Sequence, residues 1–251
     1  MVIPEAVASD TLLGGRVQIA QPADGYRVAV DAVLLAAAID AGAGQRVLDL
    51  GCGVGSVALC LAWRRPDLRI TGLDREPIFL DYAKANAEAN GMETRVAFLE
   101  GDVLNPLRAM GADFDQVMLN PPYLKAGSAT VSAHPLKAAA TAEGAATLPD
   151  WIACARAALR PGGMLTMIHR ADRLGDCLAG LRGFGGIVVL PIHPKVDRPA
   201  KRILIQARAG TGEPLSILPG FVLHEADGRF TAAADAILRD GGPLGPRLTL
   251  T

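Results

Sequence analysis

The stretch DQVMLNPPYLKAG, residues 115–127, ends an apolar run with residues that could do chemistry. It carries the amide of Asn120, two prolines and the ring of Tyr123. Proline cannot donate a ladder hydrogen bond, so a buried strand has to stop here. The Asn120 oxygen and the Pro121 carbonyl could accept both N–H bonds of an amino group, and Tyr123 could stack on its ring. The pattern predicts a site for a conjugated amine, with these catalytic residues: Asn120, Pro121, Pro122 and Tyr123.

A glycine-rich turn follows another apolar run, in the stretch VLDLGCGVGS, residues 47–56. Glycines between a strand and a helix let a ligand approach the backbone. The dinucleotide fingerprint would place its third glycine at position 56, where Ser56 stands, so a nicotinamide-dependent oxidoreductase is disfavoured. Asp49 would also repel a pyrophosphate, whereas its carboxylate suits a cationic ligand with an amine. The turn therefore indicates S-adenosylmethionine, whose sulfonium carries an aminocarboxypropyl chain.

Two further carboxylates come at predicted strand ends. Asp74 ends the next strand, about where an acidic residue would meet ribose hydroxyls, although it could also cap the following helix. Asp102 ends the third strand, where it could accept a hydrogen bond from an adenine amino group or simply form a turn. The residues predicted here to bind the cofactor are Asp49, Gly51, Cys52, Gly53, Gly55, Asp74, Asp102, Val103 and Asn120.

The chemistry predicted from these two motifs is methylation of an amino group. An exocyclic amino nitrogen on adenine is a weak nucleophile, because its lone pair is delocalised into the ring. Two fixed acceptors would favour a pyramidal nitrogen and aim its lone pair at the sulfonium methyl group. A strong general base is not required, since the proton can leave after the transfer.

Apolar strands and helices alternate strictly from residue 46 to residue 192. Such alternation predicts a mostly parallel sheet covered on both faces. The strands IVVLPI and RILIQARA have no helix between them and should pair antiparallel. In such a sheet ligands bind where the strand order reverses, at the carboxyl ends of the strands. We therefore expect the first strand, which ends near Asp49, to neighbour the fourth, which ends near Asn120.

Bulk composition sets broad limits on function. Half of the 251 residues are hydrophobic and the formal net charge is −1, so any nucleic-acid site must come from a local patch. The four cysteines show no metal-binding spacing, which indicates reduced thiols and no metal site. The N-terminus lacks the pattern of a signal peptide, and acidic residues interrupt the most apolar stretch. We expect a cytoplasmic protein.

A single domain with two flanking segments is predicted. Residues 1–45 form a cofactor-flanking segment, residues 46–209 the catalytic core and residues 210–251 a C-terminal extension. In the extension, the pair Asp227-Gly228 indicates the turn of a hairpin.

The glycine-loop motif, with Asp74 and Asp102 after it, resembles motifs of the class I S-adenosylmethionine-dependent methyltransferases. The resemblance covers roughly residues 30–207. It implies an α/β fold, a Rossmann-like doubly wound sheet of seven strands that is mostly parallel with an antiparallel last pair. Asn-Pro-Pro-Tyr at a strand end resembles the motif of enzymes that methylate amino groups of adenine, cytosine or glutamine.

The segment YRVAVDAVLLAA resembles the Thr-Asp-Gly-x-Leu-Leu segment of the bacterial tRNA1(Val) adenosine-37 N6-methyltransferase family. That resemblance implies Val30 and Asp31 near the cofactor and adenine N6 in tRNA as the substrate. This sequence departs from the family pattern, with Val30-Asp31-Ala32 in place of Thr-Asp-Gly. Asp31 could equally be a helix cap.

Other activities stay open. The release-factor glutamine N5-methyltransferase family shares Asn-Pro-Pro-Tyr, but its members usually carry a helical N-terminal domain, for which the residues before the first helix leave no room. An rRNA adenine or guanine N-methyltransferase is a further alternative. A catalytically silent S-adenosylmethionine-binding module is the alternative from another class, and the intact tetrapeptide argues against it.

Basic residues cluster between the last two predicted strands. They lie on the expected active-site side, where they could bind RNA phosphates, although an ordinary solvated loop would look the same. The predicted RNA-binding residues are Lys195, Arg198, Lys201 and Arg202. In the segment after Tyr123, a cover over a flipped base is expected from Lys125, His134 and Lys137. His169 and His193 are expected to be structural.

Overall fold

An N-terminal β-hairpin precedes the catalytic core in the computed structural model, which describes residues 7–23, 30–105, 113–124 and 143–244. Strands β1 (Val7–Leu12) and β2 (Val17–Pro22) pair antiparallel around a 3-10 turn at residues 13–15. Asn86 exchanges two hydrogen bonds with the backbone of Ala20 and thereby fixes β2 against the core. The sequence analysis missed this hairpin, because it treated these residues only as a flank of the glycine loop.

The central sheet contains all seven predicted strands. They are β3 (Arg46–Leu50), β4 (Arg69–Asp74), β5 (Val96–Glu100), β6 (Phe114–Leu119), β7 (Leu159–Arg170), β8 (Phe184–His193) and β9 (Arg202–Ala209). Their spatial order is β8-β9-β7-β6-β3-β4-β5. Strand β9 is antiparallel to both neighbours, β7 and β8, as predicted for the last pair. Two short strands, β10 (Ser216–Ile217) and β11 (Phe221–Val222), pair in parallel with β8, a pairing that was not predicted. Around the predicted turn at Asp227-Gly228, His224 and Phe230 form an antiparallel bridge, as expected for a hairpin.

Helices cover both faces of the sheet. They are α1 (Val30–Ala38), α2 (Ser56–Arg64), α3 (Pro77–Ala89), α4 (Leu148–Ala158), α5 (Leu174–Gly180) and α6 (Ala232–Leu238). Helices α1, α2, α3 and α6 pack into one hydrophobic core, and α4 and α5 contribute to a second. Proline at the start of α3 suits a first helical turn, where its missing N–H costs nothing. In the described ranges, no helix is long and apolar enough to cross a bilayer.

The pairing of β3 determines where the active site can form. Strand β3 is parallel to β4 on one side and to β6 on the other, so the expected adjacency of the first and fourth core strands is confirmed. Leu50 is aligned with Leu73 of β4 and with Leu119 of β6. The residues that follow these three strands therefore meet at one edge of the sheet.

Candidate active site

A cavity opens at the carboxyl ends of β3, β4, β5 and β6. It collects most of the residues that the sequence indicated, from four separate turns. Those that line it are Gly51, Cys52, Gly53, Asp74, Asp102, Val103, Asn120, Pro121, Pro122 and Tyr123.

The glycine loop after β3 requires glycine for two different reasons. Gly51, Gly53 and Gly55 all have positive φ, at 76°, 53° and 84°. A Cβ on Gly51 would lie 2.6 Å from Trp151, and one on Gly55 would lie 2.8 Å from Phe98. A Cβ on Gly53 would meet nothing within 4 Å. Gly53 therefore keeps its backbone accessible from the cavity, while Gly55 supports the loop from behind.

Asp74, at the end of β4, fixes the glycine loop. One carboxylate oxygen accepts the Gly53 N–H at 2.8 Å, and the other accepts the Glu76 N–H at 3.0 Å. Burial raises the pKa of Asp74, while these two backbone hydrogen bonds oppose the rise. Since a carboxylate offers about four acceptor positions, Asp74 can still accept hydroxyl groups from a ligand in the cavity.

Asp102 lies where the strand-end pattern predicted it, but its carboxylate also serves a turn. Its Oδ1 accepts the Leu104 N–H at 2.9 Å, so the turn and the cavity share this residue. Val103, next in sequence, contributes an apolar surface to the wall.

Asp49 differs from the expectation of direct ligand contact. It is 1% exposed, lies beneath the glycine loop and is not among the cavity-lining residues. Its Oδ2 accepts the Ala58 N–H of α2 at 3.1 Å. Burial raises the pKa of Asp49 to about 7, the Ala58 hydrogen bond opposes this, and the charge of Asp74 adds to it. Because the glycine loop separates Asp49 from the cavity, Asp49 can act on a ligand there through its charge but not through direct contact.

Asp31 and Arg202 make contacts that the sequence did not predict. Asp31, inside the first turn of α1, is not among the residues lining the cavity. Its Oδ2 accepts hydrogen bonds from the Tyr123 hydroxyl at 2.7 Å and from Arg202 Nε at 3.0 Å. The Arg202 guanidinium also lies over the Tyr123 ring, 4.8 Å from its centre. Both charged side chains thus contact the tyrosine. The predicted contacts of Asp31 with a cofactor and of Arg202 with RNA phosphates stay predictions.

Two polar atoms at the cavity wall have no hydrogen-bond partner within the described part of the chain. They are the amide oxygen of Asn120 and the indole nitrogen of Trp151, and both are buried. A buried polar group without a partner costs about 1–3 kcal/mol. A ligand that supplies a donor to Asn120 would remove that cost.

Trp151, Phe79 and Val54 also line the cavity and were not predicted from the sequence. A signal for Trp151 exists, because the helix LPDWIACARAALRPGG was predicted and its first turn has to lie at the carboxyl edge of the sheet. A capping box between Thr147 and Asp150 fixes that turn.

The loop between β8 and β9, residues 194–201, lies at the same edge of the sheet as the cavity. Arg198 and Lys201 are exposed, and the Lys195 ammonium donates to the Ala226 carbonyl at 2.7 Å. Arg198 has only a loose ion pair with Asp197, at 3.8 Å. The predicted cover residues Lys125, His134 and Lys137 lie outside the described residues.

Residues 27–175, more than half of the chain, match the family described as "Methyltransferase small domain". The chain belongs to this family. The match contains the glycine loop, the Asn-Pro-Pro-Tyr segment and α4, so the whole cavity falls inside the methyltransferase small domain.

The names of two curated relatives specify different substrates. A release factor glutamine methyltransferase from Chlorobaculum tepidum is 33% identical over 175 residues, which cover 66% of this chain and 59% of the relative. A tRNA1(Val) (adenine(37)-N6)-methyltransferase from Porphyromonas gingivalis is 37% identical over 171 residues, which cover 64% and 65%. The matched region thus spans about three fifths of the length of each relative.

A solved structure shares the fold of this methyltransferase small domain. It is a predicted O-methyltransferase, Atu636, from Agrobacterium tumefaciens. The two chains are 27% identical, with a TM-score of 0.70 over 84% of this chain and 96% of the other.

Alanine at Gly55 should destabilise the methyltransferase small domain more than alanine at Gly53. Both substitutions place a side chain at positive φ, at a cost of about 1–2 kcal/mol. Gly55→Ala adds a clash with Phe98, for which overpacking costs about 1–3 kcal/mol more. Urea unfolding measures the difference, and equal losses would contradict the packing assigned to Gly55.

Asp49→Asn should stabilise the ligand-free protein above neutral pH. The folded-state pKa of Asp49, about 7, is raised above its ordinary value of 3.8, so stability falls as the pH rises between these values. Each pKa unit corresponds to about 1.4 kcal/mol, and asparagine can still accept the Ala58 N–H. The free energy of unfolding should therefore rise at pH 8, with a gain that shrinks toward pH 4. A gain that grows on acidification would refute this.

Proposed function

We propose that this chain transfers the methyl group of S-adenosylmethionine to an exocyclic amino nitrogen, and that the acceptor is adenine N6 in tRNA. The observation that carries the proposal is the buried, unpartnered amide oxygen of Asn120 on the cavity wall. It follows β6, directly beside the strand that leads into the glycine loop. An acceptor in that place suits an N–H donor brought close to the ligand of the loop.

The cavity fits S-adenosylmethionine, which supplies an electrophilic methyl group on a sulfonium cation when it is bound. The open backbone at Gly53 would face the amino-acid part of the cofactor, Asp74 would accept from the ribose, and Asp102 with Val103 would border the adenine. Asp49 adds negative charge in a low-dielectric position beneath the loop, where charges act more strongly than in water. The donor set and the glycine cradle agree with this ligand.

Asn120 and Pro121 would hold the acceptor amine. The Asn120 oxygen accepts one N–H, and the Pro121 carbonyl accepts the other, so the nitrogen lone pair points away from both. Held in this way, the nitrogen could displace the methyl group that the bound cofactor would supply, and the surplus proton would pass from the nitrogen to water. The residues contribute orientation and hydrogen bonding, and no strong base is required.

A glutamine amide in a protein is the second candidate acceptor. The glutamine methyltransferase relative favours it, since the same two acceptors could hold an amide nitrogen. Two features favour RNA: the basic loop at the active-site edge and the aromatic ring of Tyr123 at the cavity. A tRNA substrate would place the reaction in the cytoplasm. An rRNA base is an alternative within the same chemistry.

Asn120→Ala should lower kcat for methyl transfer by about 100-fold or more, because it removes one of two groups that orient the amine. Affinity for S-adenosylhomocysteine, measured by calorimetry, should stay nearly unchanged. Asn120→Asp keeps an acceptor oxygen and should retain more activity than Asn120→Ala. Normal turnover in the alanine variant would sink the proposed mechanism.

Charge reversal in the β8–β9 loop should weaken tRNA binding. We expect Arg198→Glu combined with Lys201→Glu to reduce affinity for all tRNA sequences alike. The slope of log K against the logarithm of salt concentration should become shallower by about one to two. The control is Arg69→Glu combined with Arg182→Glu, since both arginines are exposed at the opposite edge of the sheet. Equal effects of the two double variants would mean that the loop makes no specific contribution.

Mass spectrometry of a deletion strain separates the two acceptors. Loss of N6-methyladenosine from one tRNA would support the proposed substrate. Loss of N5-methylglutamine from a release factor, with tRNA unchanged, would overturn it in favour of the second candidate.

A further inference from the structure

Tyr123 is held by side chains from three distant parts of the chain. Its hydroxyl donates to Asp31 of α1 at 2.7 Å, and the Arg202 guanidinium lies over its ring. The ring of His169, at the end of β7, packs against it with 5.2 Å between the ring centres. Burial and the charge of Arg173 lower the pKa of His169 to about 4, so this neighbour is neutral at pH 7.

The Asp31–Arg202 ion pair is well shielded on the aspartate side. The side chain of Asp31 is 4% exposed and that of Arg202 is 33% exposed. The same Asp31 oxygen accepts from both Tyr123 and Arg202, which joins the three side chains into one network. An arginine over an aromatic face is attracted to it electrostatically, and most strongly where water is excluded.

The backbone at Tyr123 is fixed independently of the ring. Arg173 donates to the Tyr123 carbonyl at 3.3 Å and to Glu143 at 2.8 Å. The Glu143 N–H in turn donates to the Leu124 carbonyl at 2.8 Å. Since backbone and ring are both anchored, the orientation of Tyr123 is set before any substrate arrives.

We infer that Asp31 and Arg202 are positioning residues that fix the Tyr123 ring, so that its cavity-lining part is a preorganised surface for a planar heteroaromatic amine. Arg202 covers one part of the ring, and the amine would contact the part that lines the cavity. The inference rests on the proposed function and deepens it, because a rigid ring surface benefits a nucleobase more than an aliphatic amide. Preorganisation lowers the entropy that substrate binding would otherwise lose in ordering the site. The tyrosine hydroxyl acts as an anchor that donates to Asp31, and it does not take up the proton of the amine.

A double-mutant cycle tests the anchor. Tyr123→Phe keeps the ring and removes the hydroxyl, while Asp31→Asn removes the charge that binds both partners. Each should lower kcat on a tRNA transcript by about 10-fold to 100-fold, and the double variant should be no worse than the more damaging single one. Affinity for S-adenosylhomocysteine should stay unchanged. Additive losses, or an Asp31→Asn variant that mainly loses cofactor affinity, would overturn the inference.

A second test replaces the Arg202 guanidinium with an amine and compares kcat with that of the wild type. Arg202→Lys keeps the charge but loses the planar guanidinium and its fixed Nε donor, so it should also lose kcat. Arg65→Lys is the matched control, because Arg65 pairs with Asp67 at 3.0 Å just before β4, at the edge of the sheet opposite the cavity. Unfolding midpoints identify any variant that fails to fold. Equal loss of kcat in the control would contradict the assignment.

A spectroscopic measurement keeps this inference separate from the proposed function. The chain contains three tyrosines, so the 13Cζ resonance of Tyr123 can be assigned by its absence in Tyr123→Phe. In the ligand-free protein this resonance should shift and broaden in Asp31→Asn and Arg202→Lys, but not in Arg65→Lys. That outcome would support the network even if the wild type methylates no tRNA, in which case only the proposed function fails. An unperturbed resonance in both variants would overturn the network itself.

Discussion

The parallel pairing of β3 with both β4 and β6 is the constraint on which the rest of the site depends. It brings three chain turns to one edge of the sheet, although they lie far apart in the sequence. At that edge the glycine loop exposes its backbone to the cavity, and Asp74 accepts a hydrogen bond from the loop. The Asn-Pro-Pro-Tyr segment places the Asn120 amide beside them. A shift of either pairing by one residue would reverse the faces of β3 and separate these groups.

Much of this arrangement could be predicted from the sequence, because it follows from strand ends. Asp74, Asp102 and Asn120 directly follow apolar runs, and in a parallel sheet such positions gather at one edge. Residues whose role depends on packing between distant elements were not predictable in this way. Asp31 and Arg202 meet across the fold, and local patterns offered a cap for one and a solvated loop for the other. The N-terminal hairpin was not predicted for the same reason, since its position depends on hydrogen bonds between Ala20 and Asn86 of the distant helix α3.

The site retains polar groups that a purely structural protein would avoid. Asp49 is a buried carboxyl group whose pKa is raised to about 7 by burial, and Asn120 has a buried amide oxygen without a hydrogen-bond partner among the described residues. Both reduce the stability of the ligand-free fold, and both are of a kind that a cationic or N–H-bearing ligand would compensate. The folded chain therefore has its electrostatic complement partly built in before any ligand binds, as is common in functional sites.

The position of Arg202 has a consequence for how this protein can diverge. Arg202 begins β9 and directly follows Lys201, the last residue of the exposed basic loop. A lengthened or redesigned loop would thus have to return the chain to β9 in an unchanged register, or the arginine would leave the Tyr123 ring. Changes of substrate through this loop are therefore expected to vary its tip and to preserve its final junction. Preference for a substrate, through Lys201, and rigidity of the active site, through Arg202, are therefore linked, because the two residues are adjacent in the chain.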